Sequence, residues 1–253
     1  MKAIILAADR GVSLYPYTKY IPPCLLDVGG KAILERQIDQ IRYSGIDKVV
    51  VVVGFKFEKV ENLLKTYDRH GLLIKTLINP YYETTDSLLS LWIAKEFTED
   101  VVVIDGNVVF DVGVLERALK LRSETICLPV KRKPIYEQED TKVVIRGDRI
   151  TEIGKTLSTS TSAESVGIRV FRDRGFALLE RTIEEEVRDP RPEKKCYVSA
   201  IQRLIEKGYK VKPLDIGDLF WIRIARTGDL ANARIYANKL IEKSQGERLL
   251  RIV

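Results

Sequence analysis

Residues 48–53 read Lys-Val-Val-Val-Val-Val. Five consecutive valines, stiff at χ1 because they branch at Cβ, suit a strand and not a helix. The run has no polar residue on alternate positions, so both of its faces are buried. A strand buried on both faces is the mark of a parallel sheet covered by helices on either side. The surrounding sequence supplies such helices. Residues 31–44 place Ile33, Leu34, Ile38 and Ile41 at helical spacing, and Gly45 ends them. Residues 56–69 form a second amphipathic segment closed by Gly71, with His70 at its carboxyl end. Strands at 2–6, 72–78, 100–105 and 125–130 alternate with helices at 86–96 and 112–122. This βαβα repetition predicts an α/β fold with a doubly wound, mostly parallel, Rossmann-like sheet.

After Pro134 the pattern changes. Residues 141–146 and 149–153 flank Gly147-Asp148, a hairpin turn. A Ser/Thr tract at 156–162 and a strand at 166–171 follow, so that 131–172 reads as a small antiparallel insertion on the substrate side. Helices at 174–187 and 197–207 bracket a charged, proline-bearing loop at 188–195. Short strands at 210–214 and 220–224 precede a helix at about 228–244 and an apolar tail with Leu249, Leu250 and Ile252. With no internal repeat, residues 1–253 read as one domain whose last segment, 227–253, packs on the same chain or on a partner; an oligomer is compatible with either arrangement.

The chain has 253 residues, 45% of them hydrophobic, enough for a core without disulfide staples. Cys24, Cys127 and Cys196 are too scattered for a metal site and read as thiols in a reducing compartment. Apolar runs such as Val49–Val53 fall far short of the about 20 residues of a membrane span. The chain opens directly on a strand, which argues against a signal peptide and for a cytoplasmic protein with no membrane partner. The net charge of +6 is spread among acidic residues, so it implies a mild preference for anions and no nucleic-acid partner. Abundant Lys, Glu, Ile and Val beside one His and one Met suggest a thermophilic source.

The first strand runs into a loop containing Gly11, Pro16, Pro22, Gly29 and Gly30. In an open α/β sheet ligands lie at the carboxyl ends of the strands, where loop amides cradle phosphate. Leu6, Ala7, Ala8, Arg10 and Gly11 are therefore candidate nucleotide-binding residues. The string Leu6, Ala7, Ala8, Gly11, Leu14, Pro16, Thr18, Pro22, Leu25, Gly30, Ile33 and Leu34 resembles the opening of the nucleotidyltransferases that join a nucleoside triphosphate to a sugar phosphate or alcohol phosphate. The resemblance extends to Gly54-Phe55-Lys56, to Asn79-Pro80 with Tyr82, Thr85, Asp86, Ser90 and Leu91, and to Lys155, Glu164, Gly167-Ile168 and Trp221–Leu230. The stretch from Asn79 is similar to that of members acting on phosphocholine or inositol phosphate.

The resemblance implies a nucleotide-diphospho-sugar transferase-like fold. It also implies a reaction in which a substrate phosphate attacks the α-phosphorus of the triphosphate and pyrophosphate leaves. Such catalysis is positioning and charge neutralisation, with Mg²⁺ held by carboxylates. It implies nucleoside triphosphate and phosphorylated small molecules as partners, and a substrate pocket with Tyr82, Thr85, Asp86, Glu164, Gly167 and Trp221. The family's charged positions are altered here. The loop Gly is Asp9, the loop Arg is Ser13, the loop Lys is Pro23, the fourth-strand Asp is Asn107, and the C-terminal Asp is Ala225 beside Arg223, where Glu is usual. Of that charged set Lys155 remains. Losing one preorganised electrostatic group typically costs about 10²–10³ in rate, so the first expectation is a homologue with reduced or lost catalytic activity and a binding or regulatory role. The second is an active transferase using relocated residues, with Arg10, Lys19, Asp105 and Lys155 as substitutes and Asp111 nearby, and Mg²⁺ as cofactor. The third is a binding module unrelated to nucleotides.

Overall fold

A computed structural model of the chain describes residues 1–67, 71–95, 100–188 and 196–250, with side chains through Asn238. His70, the ends of the helices expected at 56–69 and 86–96, and nearly all of the loop at 188–195 lie outside them.

The first half alternates as the valine run requires. β1 (Lys2–Ala7), α1 (Ile33–Tyr43), β2 (Lys48–Val53), α2 (Phe57–Thr66), β3 (Leu73–Ile78), α3 (Ser87–Ile93) and β4 (Val101–Asp105) follow in order. The strands pair in parallel as β3-β2-β1-β4. Side chains alternate between two cores. Ala3, Ile5, Val49, Val51, Val53, Val102 and Ile104 join the core under α1 and α2, whereas Ile4, Val50, Val52, Val101 and Val103 join the one under α3. An unbroken valine run is what a strand covered on both faces needs.

The second half is β5 (Val108–Phe110), α4 (Val112–Lys120), β6 (Ile126–Lys131), β7 (Lys142–Arg146), β8 (Arg149–Gly154), β9 (Ala163–Ser165), β10 (Ile168–Phe171), α5 (Arg174–Val187), α6 (Val198–Glu206), β11 (Lys212–Asp215), β12 (Trp221–Arg223) and α7 (Thr227–Leu250). β7 and β8 form the expected hairpin, with Gly147 at φ +60° in its turn. The strand expected at 166–171 does not belong to an insertion. It is β10, lying antiparallel between β4 and β6 in the main sheet. Gly167, at φ +78°, turns the chain between β9 and β10, a conformation open to glycine at little cost. β5 and β12 form a separate two-stranded ribbon, of which β5 had not been expected from the sequence.

A third apolar cluster joins Leu14, Leu26, Val28 and Ile33 of the first loop and helix to Val109, Ile224, Leu230, Ala233 and Ala237. The start of α7 therefore packs on its own chain, against the first loop. Among the described residues no helix is long and apolar enough to cross a membrane.

Candidate active site

The carboxyl ends of β1 and β4 lie side by side, and the loops leaving them stay close to the backbone. Gly106 N donates to Leu6 O at 2.8 Å, and Phe55 N donates to Ala8 O at 3.1 Å. A Cβ on Gly106 would meet Leu6 O at 2.5 Å, and one on Gly54 would meet Ala8 O at 2.7 Å. Gly11, at φ +61°, lies so close to Pro23 that a Cβ would meet Pro23 Cγ at 2.3 Å. Thr18 Oγ1 donates to Gly11 O at 2.5 Å and fixes the loop from the other side.

These loops enclose a cavity of about 600 Å³. Leu6, Ala7, Ala8, Asp9, Arg10 and Pro23 contribute to one wall, Asn79, Tyr82, Glu83, Thr85, Asp86 and Ser90 to a second, and Asp105, Gly106, Asn107, Lys155, Arg169, Tyr197 and Arg223 to a third. Most of the residues expected at the site thus surround one space. Glu164 and Trp221 line a smaller adjoining cleft of about 130 Å³ with Ala225, and Arg223 lines both. Gly11 and Gly167 shape the walls through backbone geometry. Lys19 lies over the Tyr20 ring and is not on the cavity wall.

Among the described residues four cations and four carboxylates line the main cavity: Arg10, Lys155, Arg169 and Arg223 against Asp9, Glu83, Asp86 and Asp105. Each cation is paired. Arg10 Nη1 lies 3.3 Å from Glu83, Lys155 Nζ 2.6 Å from Glu139, Arg169 Nη1 2.9 Å from Asp105, and Arg223 Nη2 3.0 Å from Asp140. The Lys155 ammonium holds the Glu139 carboxyl below its ordinary pKa. Asp86 caps α3 by accepting from Ser87 N at 2.5 Å. Asp9 has no cationic partner among the described residues.

Asp105 uses both carboxylate oxygens. Arg169 donates to Oδ2, and Tyr197 OH donates to Oδ1 at 2.8 Å. The Arg169 guanidinium lies 4.8 Å from the Tyr197 ring centroid, a cation–π arrangement. Burial acts to lower the Arg169 pKa, but the nearby Asp105 and Tyr197 outweigh it and hold the group charged. Beneath this cluster, Gln37 of α1 donates from Nε2 to both Asp105 O and Val108 O, at 2.9 and 2.8 Å, which fixes the turn after β4.

Three of the positions expected to carry the family's charged residues, 13, 107 and 225, meet at one place. Ser13 Oγ donates to Ala225 O at 2.7 Å, and Asn107 Nδ2 donates to Ile224 O at 3.1 Å. Asp229 Oδ2 in turn accepts from Ala225 N and Arg226 N and caps α7. Arg223 reaches across the adjoining cleft to Glu139 O, Asp140 and Glu164, beside Lys133, which is 2.5 Å from Glu164. Burial raises the Glu164 pKa, and Lys133 and Arg223 only partly offset it.

Sequence reasoning did not single out Arg169, Tyr197 or Gln37. Arg169 had a legible signal: it is the one charged residue within the four-residue strand Ile-Arg-Val-Phe, and a charge inside a buried strand requires a partner.

Comparison with known proteins agrees with this geometry. Residues 2–132 match the nucleotidyl transferase family. The chain belongs to that family. It is 28% identical over 249 residues to a bifunctional IPC transferase and DIPP synthase of Aquifex aeolicus, covering 97% of this chain and 54% of that protein. It is 25% identical over 254 residues to a CTP:phosphoglutamine cytidylyltransferase of Campylobacter jejuni, covering 91% of this chain and 98% of that one. The chain thus spans about half the length of the first relative and nearly all of the second. The inositol-1-phosphate CTP transferase of T. maritima shares the fold, with a TM-score of 0.74 at 20% identity over 90% of each chain.

Proposed function

We propose that this nucleotidyl transferase homologue has reduced or lost catalysis and acts by binding, as a cytoplasmic sensor or regulator that retains a nucleotide or phosphosugar pocket. The observation that carries the reading is the charge balance of the main cavity. Transfer to an α-phosphorus needs cations free to meet a triphosphate and its leaving pyrophosphate. Here the charge of each of the four lining cations is offset by a paired carboxylate, and Asp9 adds a negative charge to the loop that would receive phosphate, so the cavity has little net positive charge to set against a triphosphate. A cavity of about 600 Å³ is nonetheless within the usual range for small-molecule sites. The cytidylyltransferase character of the relatives makes CTP and its phosphorylated alcohol products the first ligands to try.

Thermal shift with CTP, ATP, GTP, UTP, phosphocholine and CDP-choline tests the reading. Binding to native protein alone raises the midpoint. The expected result is a concentration-dependent rise with at least one nucleotide or phosphorylated alcohol. No shift with any of them contradicts the reading and favours a module unrelated to nucleotides. The second reading, an active cytidylyltransferase using relocated residues, is favoured by the presence of Arg10, Asp105 and Lys155 on one cavity wall system. It requires ligand binding to break the pairs that now hold these groups.

A further inference from the structure

We infer that the cavity meets the charge of a phosphate-bearing ligand with its own Arg169 guanidinium and takes that ligand without a divalent cation. The inference deepens the binding role proposed above and rests on it.

The donor chemistry does not fit the Mg²⁺ that the family resemblance implies. Mg²⁺ demands hard oxygens in near-octahedral geometry, with one or two carboxylates from the protein. At the end of β4 the carboxylate is Asp105, and Arg169 and Tyr197 occupy both of its oxygens. Asn107 is neutral and its amide nitrogen is held by Ile224 O, while residue 225 offers a methyl group. A dication seated on Asp105 would share that carboxylate with a guanidinium whose side chain is 1% exposed, so two positive charges would lie against one negative charge.

Arg169 has the properties of a resident counter-charge. It projects from the middle of β10 onto the cavity wall, at the base of the space bounded by Ala7, Asp105 and Tyr197. Its Nη1 is bonded to Asp105, but its Nε is buried without a hydrogen-bond partner, so the internal pairing does not use all of its donors. A planar guanidinium presents two parallel donors to a phosphate, sheds water more easily than an ammonium, and stays charged at every accessible pH. The Tyr197 ring beneath it keeps it in place. Arg10 and Lys155 are paired with carboxylates nearer solvent, Glu83 and Glu139, each more than half exposed, whereas Arg223 is turned toward the buried Asp140 of the adjoining cleft.

The experiment is calorimetric titration of the full chain with CTP, once in EDTA and once with excess Mg²⁺. The expected result is one binding event whose Kd agrees in the two buffers within about threefold, about 0.7 kcal/mol. Binding that appears only with Mg²⁺ overturns the inference and leaves the proposed binding role standing. If neither buffer gives heat with CTP, ATP, GTP, UTP, phosphocholine or CDP-choline, that role fails and the inference with it. Two variants isolate Arg169. Arg169→Lys keeps a charge, and Asp105→Asn combined with Arg169→Gln removes the ion pair together, so that no lone charge is left buried. The double variant is expected to bind CTP in EDTA at least about tenfold more weakly, the effect of one charge-assisted hydrogen bond, with the lysine variant intermediate. A folded double variant that binds CTP as tightly as the parent shows Arg169 to be structural and overturns the inference.

Discussion

Ser13 Oγ donates to the carbonyl oxygen of Ala225 at 2.7 Å, joining two residues 212 positions apart in the chain. These are two of the positions at which the family resemblance leads one to expect an arginine and an aspartate. Here Ser13 bonds the main chain of residue 225, and Asn107 bonds the adjacent Ile224. These bonds tie the first loop and the turn after β4 to the main chain at 224–225, and α7 is docked there through Asp229.

Restoring the charges together tests that positional correspondence. The variant Ser13→Arg, Pro23→Lys, Asn107→Asp and Ala225→Asp is expected to gain Mg²⁺-dependent affinity for CTP in a calorimetric titration. Asn107→Asp sets a carboxylate oxygen against Ile224 O, so a loss of about 1 kcal/mol in stability should accompany it, the usual value of a hydrogen bond. A restored protein that folds and shows no Mg²⁺-dependent gain refutes the correspondence.

Breaking the Asp105–Arg169 pair from one side should be costly. Arg169→Met leaves the Asp105 carboxylate and the Tyr197 hydroxyl without their central cation, and a loss of about 3–5 kcal/mol is expected in urea unfolding. Asp105→Asn in the same chain should recover most of that loss, because no lone charge remains. Equal losses in the single and double variants would mean that Arg169 matters only for packing.

The architecture was legible where a residue's environment is set by its neighbours in sequence. The valines of β2 announced burial on both faces, and Gly147-Asp148 announced a hairpin. The place of β10 was not legible, because Ile168, Val170 and Phe171 satisfy either sheet position equally well, and only contacts with Val102 and Cys127 decide between them. The site divided in the same way. The loop residues from Leu6 to Arg10 could be assigned from their motif, and they line the cavity. The pairing of each cation with a carboxylate could not be read, since Arg10 and Glu83, or Arg223 and Asp140, meet only in the folded chain. Arg169 was visible as a charge in an apolar strand, but its partner Tyr197 was not.

Close backbone approach at the site predicts a contrast between two glycines. Gly106→Ala should destabilise by about 1–3 kcal/mol, because its Cβ meets Leu6 O at 2.5 Å and would separate the ends of β1 and β4. Gly30→Ala, at φ +79° in open space, should cost about 1–2 kcal/mol by backbone strain alone. The measurement is urea unfolding joined to ligand binding. Only Gly106→Ala should weaken binding to the folded protein.

The buried Glu164 gives stability a pH dependence of known sign. Its folded pKa is raised by burial, with Asp140 adding to the rise and Lys133 and Arg223 opposing it. The folded state therefore holds the proton to higher pH than the unfolded state does. The contribution is fully present below the unfolded value of about 4.3 and is lost as pH rises through the folded value. Unfolding free energy measured upward from about pH 4 should fall by a component that Glu164→Gln lacks. A wild-type profile parallel to that of Glu164→Gln contradicts the assignment.

The central claim is that the nucleotidyl transferase fold is kept while its chemistry is reduced or lost. Pyrophosphate release measures this directly, with each of CTP, ATP, GTP and UTP, Mg²⁺, and a panel of phosphocholine, inositol 1-phosphate and sugar 1-phosphates. The account predicts release that is slow or absent for every pair, from protein that binds at least one of the ligands. Robust turnover with any pair contradicts it, and would assign the work to relocated groups such as Arg10, Asp105 and Lys155.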